Sequence, residues 1–391
     1  MSAVARRQWD VAVIGAGIVG AATAYYLSKA GCEVVVLEQG DINREGSGAT
    51  AGNIHVQGIH PRRPGQEIPA DVARFLPLQI AARALWEHLE EELGQSLELN
   101  RHGGLMVAET ETEVAELHAK RALEAKCGLA SEIVTGDDAR RLLPDLSDTV
   151  LAADWCSADG YANPLLVTPA YLRAAELRGT TVMPFSKVEE ITREDESYYT
   201  LRTGTQVIAA TYVVNAAGPW IRDVGRLMGV DVAVSAIGIQ MHVTRRVPSA
   251  MNCLVQHVGQ ALSVKRVAAG NLLVGGGWPG EALTLGYRSA VSTASMRANL
   301  GQAARVLPLI RQCEVLRIWT GPLAVTADEL PVVGPLPGRP NCFVAGGTYA
   351  FTLAPLWGCC LAALISGDHA PVDLTGLGVE RLTVTPGGQV N

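Results

Sequence analysis

The chain has 391 residues, 48% hydrophobic and 18% charged, with a net charge of −7. That length allows two domains with substantial cores, and that balance excludes a disordered chain and a basic nucleic-acid surface. No apolar run reaches the ~18 residues of a membrane span, and the Arg6-Arg7 start leads into a glycine-broken strand, not a secretory signal.

The first predicted element is a fully apolar strand at 11–14. Gly15, Gly17 and Gly20 then open an alanine-rich helix that stops at Gly31, and a second strand at 34–37 delivers Glu38. A GxGxxG pattern alone is weak evidence. Here it follows a strand, opens a helix and is completed by an acid, the context that marks a dinucleotide site. Gly15 makes the turn, Gly17 admits a pyrophosphate and Gly20 lets the helix pack on the strand. The helix N-terminus at Ile18 then faces the phosphates. Glu38 binds ribose hydroxyls and repels a 2′-phosphate, which argues against NADP.

A small-residue loop follows at 46–53. Helical spacing predicts helices over 78–93 and 113–126, with a hairpin-like stretch at 97–109 between them. Pro169 behind Thr168 reads as the start of a further helix. Strands are expected at 180–184, 188–193, 198–203, 206–209 and 212–220, and through 232–244, 262–267 and 271–276. Residues 288–307 read as a helix, and the apolar 356–365 as a buried one. Residues Ala216, Ala217 and Gly218 end a strand with side chains small enough for a ligand to approach. The eight cysteines show no CxxC spacing, and Cys359-Cys360 suits neither a metal nor a relaxed disulfide. They read as reduced thiols of a cytoplasmic protein. No metal site, Ser/His/Asp set or phosphate P-loop is visible.

Four motifs carry a family resemblance: Val-Ile-Gly-Ala-Gly-Ile-Val-Gly with Glu38, Gly-Ser-Gly-Ala-Thr-Ala-Gly-Asn (46–53), Val-Val-Asn-Ala-Ala-Gly-Pro-Trp (213–220), and Thr-Ala-Asp-Glu-Leu-Pro-Val-Val-Gly (326–334) with Phe-Thr-Leu-Ala-Pro (351–355). Over nearly its whole length the chain resembles the D-amino-acid oxidase superfamily of FAD enzymes, which includes glycine oxidase, sarcosine oxidase and D-amino-acid dehydrogenase. Segment 262–279 is most similar to the flavin-bearing β subunits of opine oxidases and hydroxyproline or proline dehydrogenases.

The resemblance implies an α/β fold: a Rossmann-like FAD-binding domain of the glutathione-reductase type, interleaved with a mixed-sheet α+β substrate domain. The first domain takes 1–80, 150–220 and 320–391; the second takes 81–149 and 221–319. FAD contacts are expected at Gly15, Gly17, Ile18, Gly20, Glu38 and Gln39. The 46–53 loop adds Ser47, Thr50, Ala51, Gly52 and Asn53, and Ala217, Gly218 and Trp220 follow. Val188 falls in the strand that clamps adenine, though by itself it is as readily a core valine. Gly346, Gly347, Thr348, Ala350, Phe351, Thr352 and Leu353 place a helix N-terminus at the flavin C2 carbonyl, where reduced flavin carries negative charge.

Gly321 stands where covalent-flavin members carry cysteine, so the FAD is expected to be non-covalent. The stretch Gly321-Pro322-Leu323-Ala324 also lacks the arginine that holds a substrate carboxylate in many relatives. Lys265 resembles the lysine that bridges to flavin N5 in sarcosine oxidases; its alternative is a solvent-facing strand lysine. His242, His257 and Tyr349 are further candidates for the substrate face.

The implied function is oxidation of the C–N bond of a secondary-amine amino acid, an opine such as octopine or nopaline, or hydroxyproline. A hydride passes to flavin N5 and the imine is hydrolysed. The resemblance also implies an α and a small iron–sulfur partner subunit in a hetero-oligomer. Alternatives are a D-amino-acid or glycine oxidase or dehydrogenase acting alone, and a non-catalytic flavin electron-relay subunit.

Overall fold

The computed structural model describes residues 8–57, 70–194, 197–204 and 206–382; Arg6 and Arg7 lie outside the described residues. Strand Gln8–Ile14 leads into helix Ile18–Lys29, and strand Val34–Leu37 follows. The two strands pair in parallel from Val11 with Val34 to Ile14 with Leu37. All eight of those side chains are buried, as in strands covered on both faces.

Gly15 adopts φ +104°, and a Cβ at Gly20 would stand 1.9 Å from Gly15 O. The turn therefore needs glycine at one position for its conformation and at the other for contact.

The first sheet runs in the order Val332–Pro335, Cys342–Gly346, Val207–Asn215, Gln8–Ile14, Val34–Leu37, Thr181–Met183. Strands Val188–Glu194 and Tyr198–Thr203 extend it as an antiparallel ribbon. Helices Ile18–Lys29, Pro164–Glu176 and Ala350–Ile365 share one core with its inner face. The second sheet runs Val315–Val325, Ser235–Arg246, Asn271–Gly275, Ser263–Arg266, Leu254–His257, Gly104–Ala108, Ala152–Cys156, Glu132–Thr135. It is antiparallel except where Leu254–His257 meets Gly104–Ala108. This is a mixed α/β architecture with two mixed sheets. The second sheet takes Ala152–Cys156 and Val315–Val325, which the division from sequence had placed wholly or partly with the first domain.

Several expectations are corrected by long-range pairing or better caps. The helix containing Pro169 begins at Pro164, where Asn163 Oδ1 accepts from Leu165 N at 3.0 Å. Residues 97–109 form no hairpin; Gly104–Ala108 pairs with Leu254–His257 and Ala152–Cys156 instead. Nothing breaks the chain between 206 and 212, so Val207–Asn215 is one strand. The helix expected at 78–93 is Ala70–Glu87 followed by Leu89–Leu93, ended by Gly94 at φ +67°. The helix expected at 113–126 starts earlier, at Glu111, because Thr110 and Glu113 form a capping box. The helix expected at 288–307 is Thr293–Val306, and residues 278–292 form a loop anchored by Ser292 N donating to Gln240 Oε1 at 2.7 Å.

Helix Glu111–Lys126 docks on the second sheet through a buried ion cluster. Lys120 Nζ lies 2.8 Å from Asp154 Oδ2 and 2.8 Å from Gln57 Oε1, and 2.5 Å from Glu124 Oε1. Burial opposes the ammonium charge, but Glu124 and Asp154 outweigh it and hold the Lys120 pKa above its ordinary value. Gln57 Nε2 donates onward to Asp159 Oδ2 at 2.9 Å, and Asp159 Oδ1 accepts from Val56 N and Gln57 N at 2.8 and 3.1 Å. The cluster thus pins residues 56 and 57. Removing one member of a buried ion cluster strands the others. Lys120→Met is expected to cost about 3–5 kcal/mol, measured as lost unfolding free energy in urea.

Candidate cofactor and substrate site

A cavity of about 1560 Å³ opens between the C-terminal ends of the first sheet's parallel strands and one face of the second sheet. Ligands of open parallel sheets bind at such strand ends. Its volume exceeds the ~300–1,000 Å³ that suits one drug-sized ligand.

One end is built by the glycine turn. Gly15, Gly17, Ile18, Glu38, Gln39 and Ser47 line it, with Val188 and Lys187 beyond. Glu38 Oε2 accepts from Ala16 N at 2.9 Å and Oε1 from Gly40 N at 2.9 Å, so its carboxylate is fixed at the strand end. Ser47 Oγ accepts from Ile18 N at 2.9 Å and ties the 46–53 loop to the helix N-terminus. Across the cavity, Asn215 orders the turn that carries Ala217, Gly218 and Trp220. Its Nδ2 donates to Ile221 O at 2.9 Å and its Oδ1 accepts from Ala217 N at 3.3 Å. Gly20 and Gly52 stand behind this lining; Gly20 supports the turn and a Cβ at Gly52 would meet Ala162 O at 2.3 Å.

Helix Ala350–Ile365 points its N-terminus at the middle of the cavity. Gly346, Gly347, Thr348, Tyr349, Ala350, Phe351 and Thr352 line it there. Leu353 is fully buried in the core and does not. Thr352 Oγ1 accepts from His55 N at 3.1 Å and donates to Asn53 O at 3.3 Å, which fastens the helix to residues 53–55. Tyr349 holds a left-handed backbone at φ 56°. Its ring packs 4.8 Å from that of Phe75, and burial, then Glu329, push its phenol pKa up. In the 326–334 motif, Asp328 pairs with Arg381 at 2.7 Å and Thr326 Oγ1 donates to Leu330 O at 2.6 Å. Those residues fold the loop, and Glu329 faces the cavity.

The second sheet presents one face only. Side chains alternate along a strand, so Ile237, Ile239 and Met241 line the cavity while Gln240 and His242 turn away. His242 is therefore not a substrate-face residue. Its Nε2 meets Gln240 Nε2 at 2.9 Å and Nδ1 meets Val274 O at 3.4 Å, and burial lowers its pKa. His257 edges the cavity, but its imidazole is committed elsewhere. Nδ1 accepts from Gly259 N at 3.1 Å, and Nε2 bonds Glu109 Oε2 at 3.2 Å. Burial lowers its pKa against the opposing pull of Glu113 and Glu109.

Lys265 is not a solvent-facing strand lysine. It is 1% exposed, Nζ donates to Ala51 O, and it stands 4.5 Å from the Tyr161 ring centroid. Burial drives its pKa well below the ordinary value. It lies one layer behind the lining, under Ala51 and Asn53. Gly321 also lies behind it: a Cβ there would stand 2.4 Å from Ala49 Cβ.

Sequence reasoning missed His55, Gln256 and Met241, all in the cavity wall. The alternation in 235–246 held the signal for Met241. His55 and Gln256 meet only through tertiary pairing.

The lining fits a dinucleotide. Gly15 and Gly17 present no side chain where phosphates approach a helix N-terminus, and the carboxylate of Glu38 stands ready for ribose hydroxyls. Buried Asn53 Oδ1 and Thr348 Oγ1 have no partner, an arrangement that costs free energy unless a ligand supplies one. The chain matches the family described as DAO, FAD dependent oxidoreductase, over residues 10–364. It belongs to that family of FAD enzymes. It is 28% identical to the glycine oxidase of Geobacillus kaustophilus, covering 96% of this chain and 97% of that one. The crystal structure of glycine oxidase from that organism superposes with a TM-score of 0.85, covering 96% and 99%. The chain is 25% identical to an opine oxidase subunit of Rhizobium meliloti, over 95% of this chain and 97% of that protein. It is 26% identical to the mitochondrial dimethylglycine dehydrogenase of Rattus norvegicus over 95% of its length, but spans 44% of that longer protein.

Glu38→Ala removes the carboxylate at the ribose end. A charge-assisted hydrogen bond contributes about 1.5–3 kcal/mol, so the variant is expected to hold FAD at least ten-fold more weakly. The flavin-to-protein absorbance ratio of the purified protein and its FAD titration check this.

Proposed function

We propose that this FAD-dependent oxidoreductase oxidises the C–N bond of a secondary-amine amino acid, an opine or hydroxyproline, to an imine that water hydrolyses. The observation that carries the reading is the wall opposite the helix N-terminus. Residues Pro322, Leu323 and Ala324 bring no arginine to the cavity there, and Ile237, Ile239 and Met241 continue an apolar surface beside them. A bare primary amino acid held by an arginine clamp does not need such a wall; a nitrogen substituent does. The two relatives named for glycine and for opines share one chemistry, a carbon bearing both an amine nitrogen and a carboxylate.

Residues Gly15, Gly17, Ile18, Glu38 and Ser47 would hold the FAD diphosphate and first ribose, Val188 the adenine, and Thr348–Thr352 the ring. When bound, the flavin supplies a two-electron acceptor for the hydride of the carbon next to nitrogen. The chain's part is to orient that carbon, exclude water and keep the second-sheet wall beside it apolar. Lys265, buried beneath Ala51, would support the loop that lies against the ring. No cysteine lines the cavity among the described residues, and Gly321 has no room for a side chain, so we read the FAD as non-covalent.

The kinship to a protein named as a subunit supports a hetero-oligomer; in this reading an α and a small iron–sulfur partner subunit carry the electrons away. The eight free thiols favour a reducing compartment such as the cytoplasm. Among the described residues no helix is long and apolar enough to cross a membrane. The two sheets correspond, in this reading, to an FAD-binding and a substrate domain.

Anaerobic addition of octopine, nopaline, hydroxyproline, sarcosine, glycine and D-amino acids to the yellow protein tests the reading. Bleaching is expected with a secondary amine, and slow oxygen consumption by the isolated chain. Bleaching only by glycine or D-amino acids, with rapid oxygen uptake, would support a self-sufficient oxidase instead. A yellow protein that no amine bleaches would point to an electron-relay subunit.

A further inference from the structure

His55 and Gln256 form a neutral pair in the cavity wall, brought together from residues far apart in sequence. His55 follows the two-residue strand Asn53–Ile54, and Gln256 stands in strand Leu254–His257. Gln256 Nε2 lies 3.2 Å from His55 Nδ1. The imidazole stands edge-on to Tyr349, with ring centroids 5.8 Å apart. Its backbone is tied to Thr352, and the ion cluster at Lys120 pins the residues that follow, so the ring has a fixed base.

Each member leaves one polar atom for a ligand. Gln256 is 3% exposed, yet its Oε1 has no partner. An unpaired buried acceptor costs about 1–3 kcal/mol. With the amide N–H donating to His55 Nδ1, a neutral imidazole carries its proton on Nε2. The pair then offers one acceptor and one donor to a ligand in the cavity. We propose that this pair grips the head group of the amine substrate: Gln256 Oε1 accepts the amine N–H, and His55 Nε2–H donates to the carboxylate. The inference rests on the amino-acid reading above and deepens it, since it assigns the carboxylate a neutral partner.

The surroundings favour an uncharged ring. Burial, and then the nearby Lys265, lower the His55 pKa to about 3. A neutral donor binds a carboxylate less tightly than a bidentate arginine does.

The test uses the FAD-loaded enzyme and two ligands. One is the amine that bleaches the wild-type flavin fastest. The other is tetrahydro-2-furoate, which carries a carboxylate but an ether oxygen in place of the amine N–H. Its binding is read from the shift in flavin absorbance. His55→Phe and Gln256→Leu are each expected to lower kcat/KM for the amine by about 10–100-fold, mainly through KM, with FAD content unchanged. His55→Gln, which keeps an N–H donor, is expected to recover most of the loss. Tetrahydro-2-furoate binding should weaken at least ten-fold in His55→Phe and by about two- to five-fold in Gln256→Leu, which keeps the imidazole but loses the N–H that fixes its tautomer.

Variants that keep kcat/KM within about three-fold, or that weaken tetrahydro-2-furoate binding equally, overturn the assignment. Loss of FAD from both variants would overturn it too, because the pair would then serve the cofactor. A wild-type flavin that no amine bleaches defeats the amino-acid reading itself, a different failure from an enzyme that is bleached equally well by all variants.

Discussion

The contact between Gly15 and Gly20 is the constraint on which the site depends. Helix Ile18–Lys29 sits so close to the turn below it that a single methyl at Gly20 would enter the carbonyl of Gly15. That closeness aims the helix N-terminus past the ends of the parallel strands. The field of the helix then acts on whatever occupies the strand ends. Glu38 arrives at the same edge because strand Val34–Leu37 pairs in register with Gln8–Ile14. The anion-binding end and the ribose-binding acid are thus two results of one packing requirement. Helix Ala350–Ile365, packed on the same first helix, brings a second N-terminus to the cavity.

The other wall works by exclusion of charge. The second sheet turns Ile237, Ile239 and Met241 inward and sends His242 to its far side. Two groups that are usually charged or readily charged, Lys265 and His55, are buried near the cavity, and burial lowers both pKa values. Burying an ammonium without a partner costs far more than burying an amine. The result is a cavity with phosphate- and ribose-binding groups at one end and a largely apolar chamber at the other, to which the second sheet's strands bring no carboxylate or guanidinium among the described residues. Such a chamber suits removal of a hydride from the carbon next to an uncharged amine, because no cation has to be accommodated in the ground state.

The first wall was legible in the sequence because its signals are local. The run Val11–Ile14, three glycines, an alanine-rich helix and Glu38 lie within about 30 residues and constrain one another. The second wall was harder to read. A strand has two faces, and periodicity alone does not say which one meets the ligand. Choosing His242 as a candidate instead of Met241 is an error of one residue in that phase. His257 has the chemistry of a site residue, but Glu109 and Gly259 claim its nitrogens. His55 was passed over because a histidine in a small-residue loop gives no signal until Gln256, some 200 residues later, is folded against it. Lys120 likewise reads as a surface helix lysine until Gln57, Glu124 and Asp154 converge on it. Pro169 misled for the opposite reason: the rule that proline starts helices is sound, but Asn163-Pro164 satisfies it one turn earlier.

An X-ray structure of the FAD-loaded enzyme with tetrahydro-2-furoate bound tests the account most directly. The account predicts the diphosphate at the N-terminus of Ile18–Lys29, a ribose on Glu38, and the ring between Thr348–Thr352 and the face carrying Met241, with the furoate carboxylate on His55. A diphosphate bound away from Gly15 and Gly17, or a ring turned from the second sheet, would contradict it.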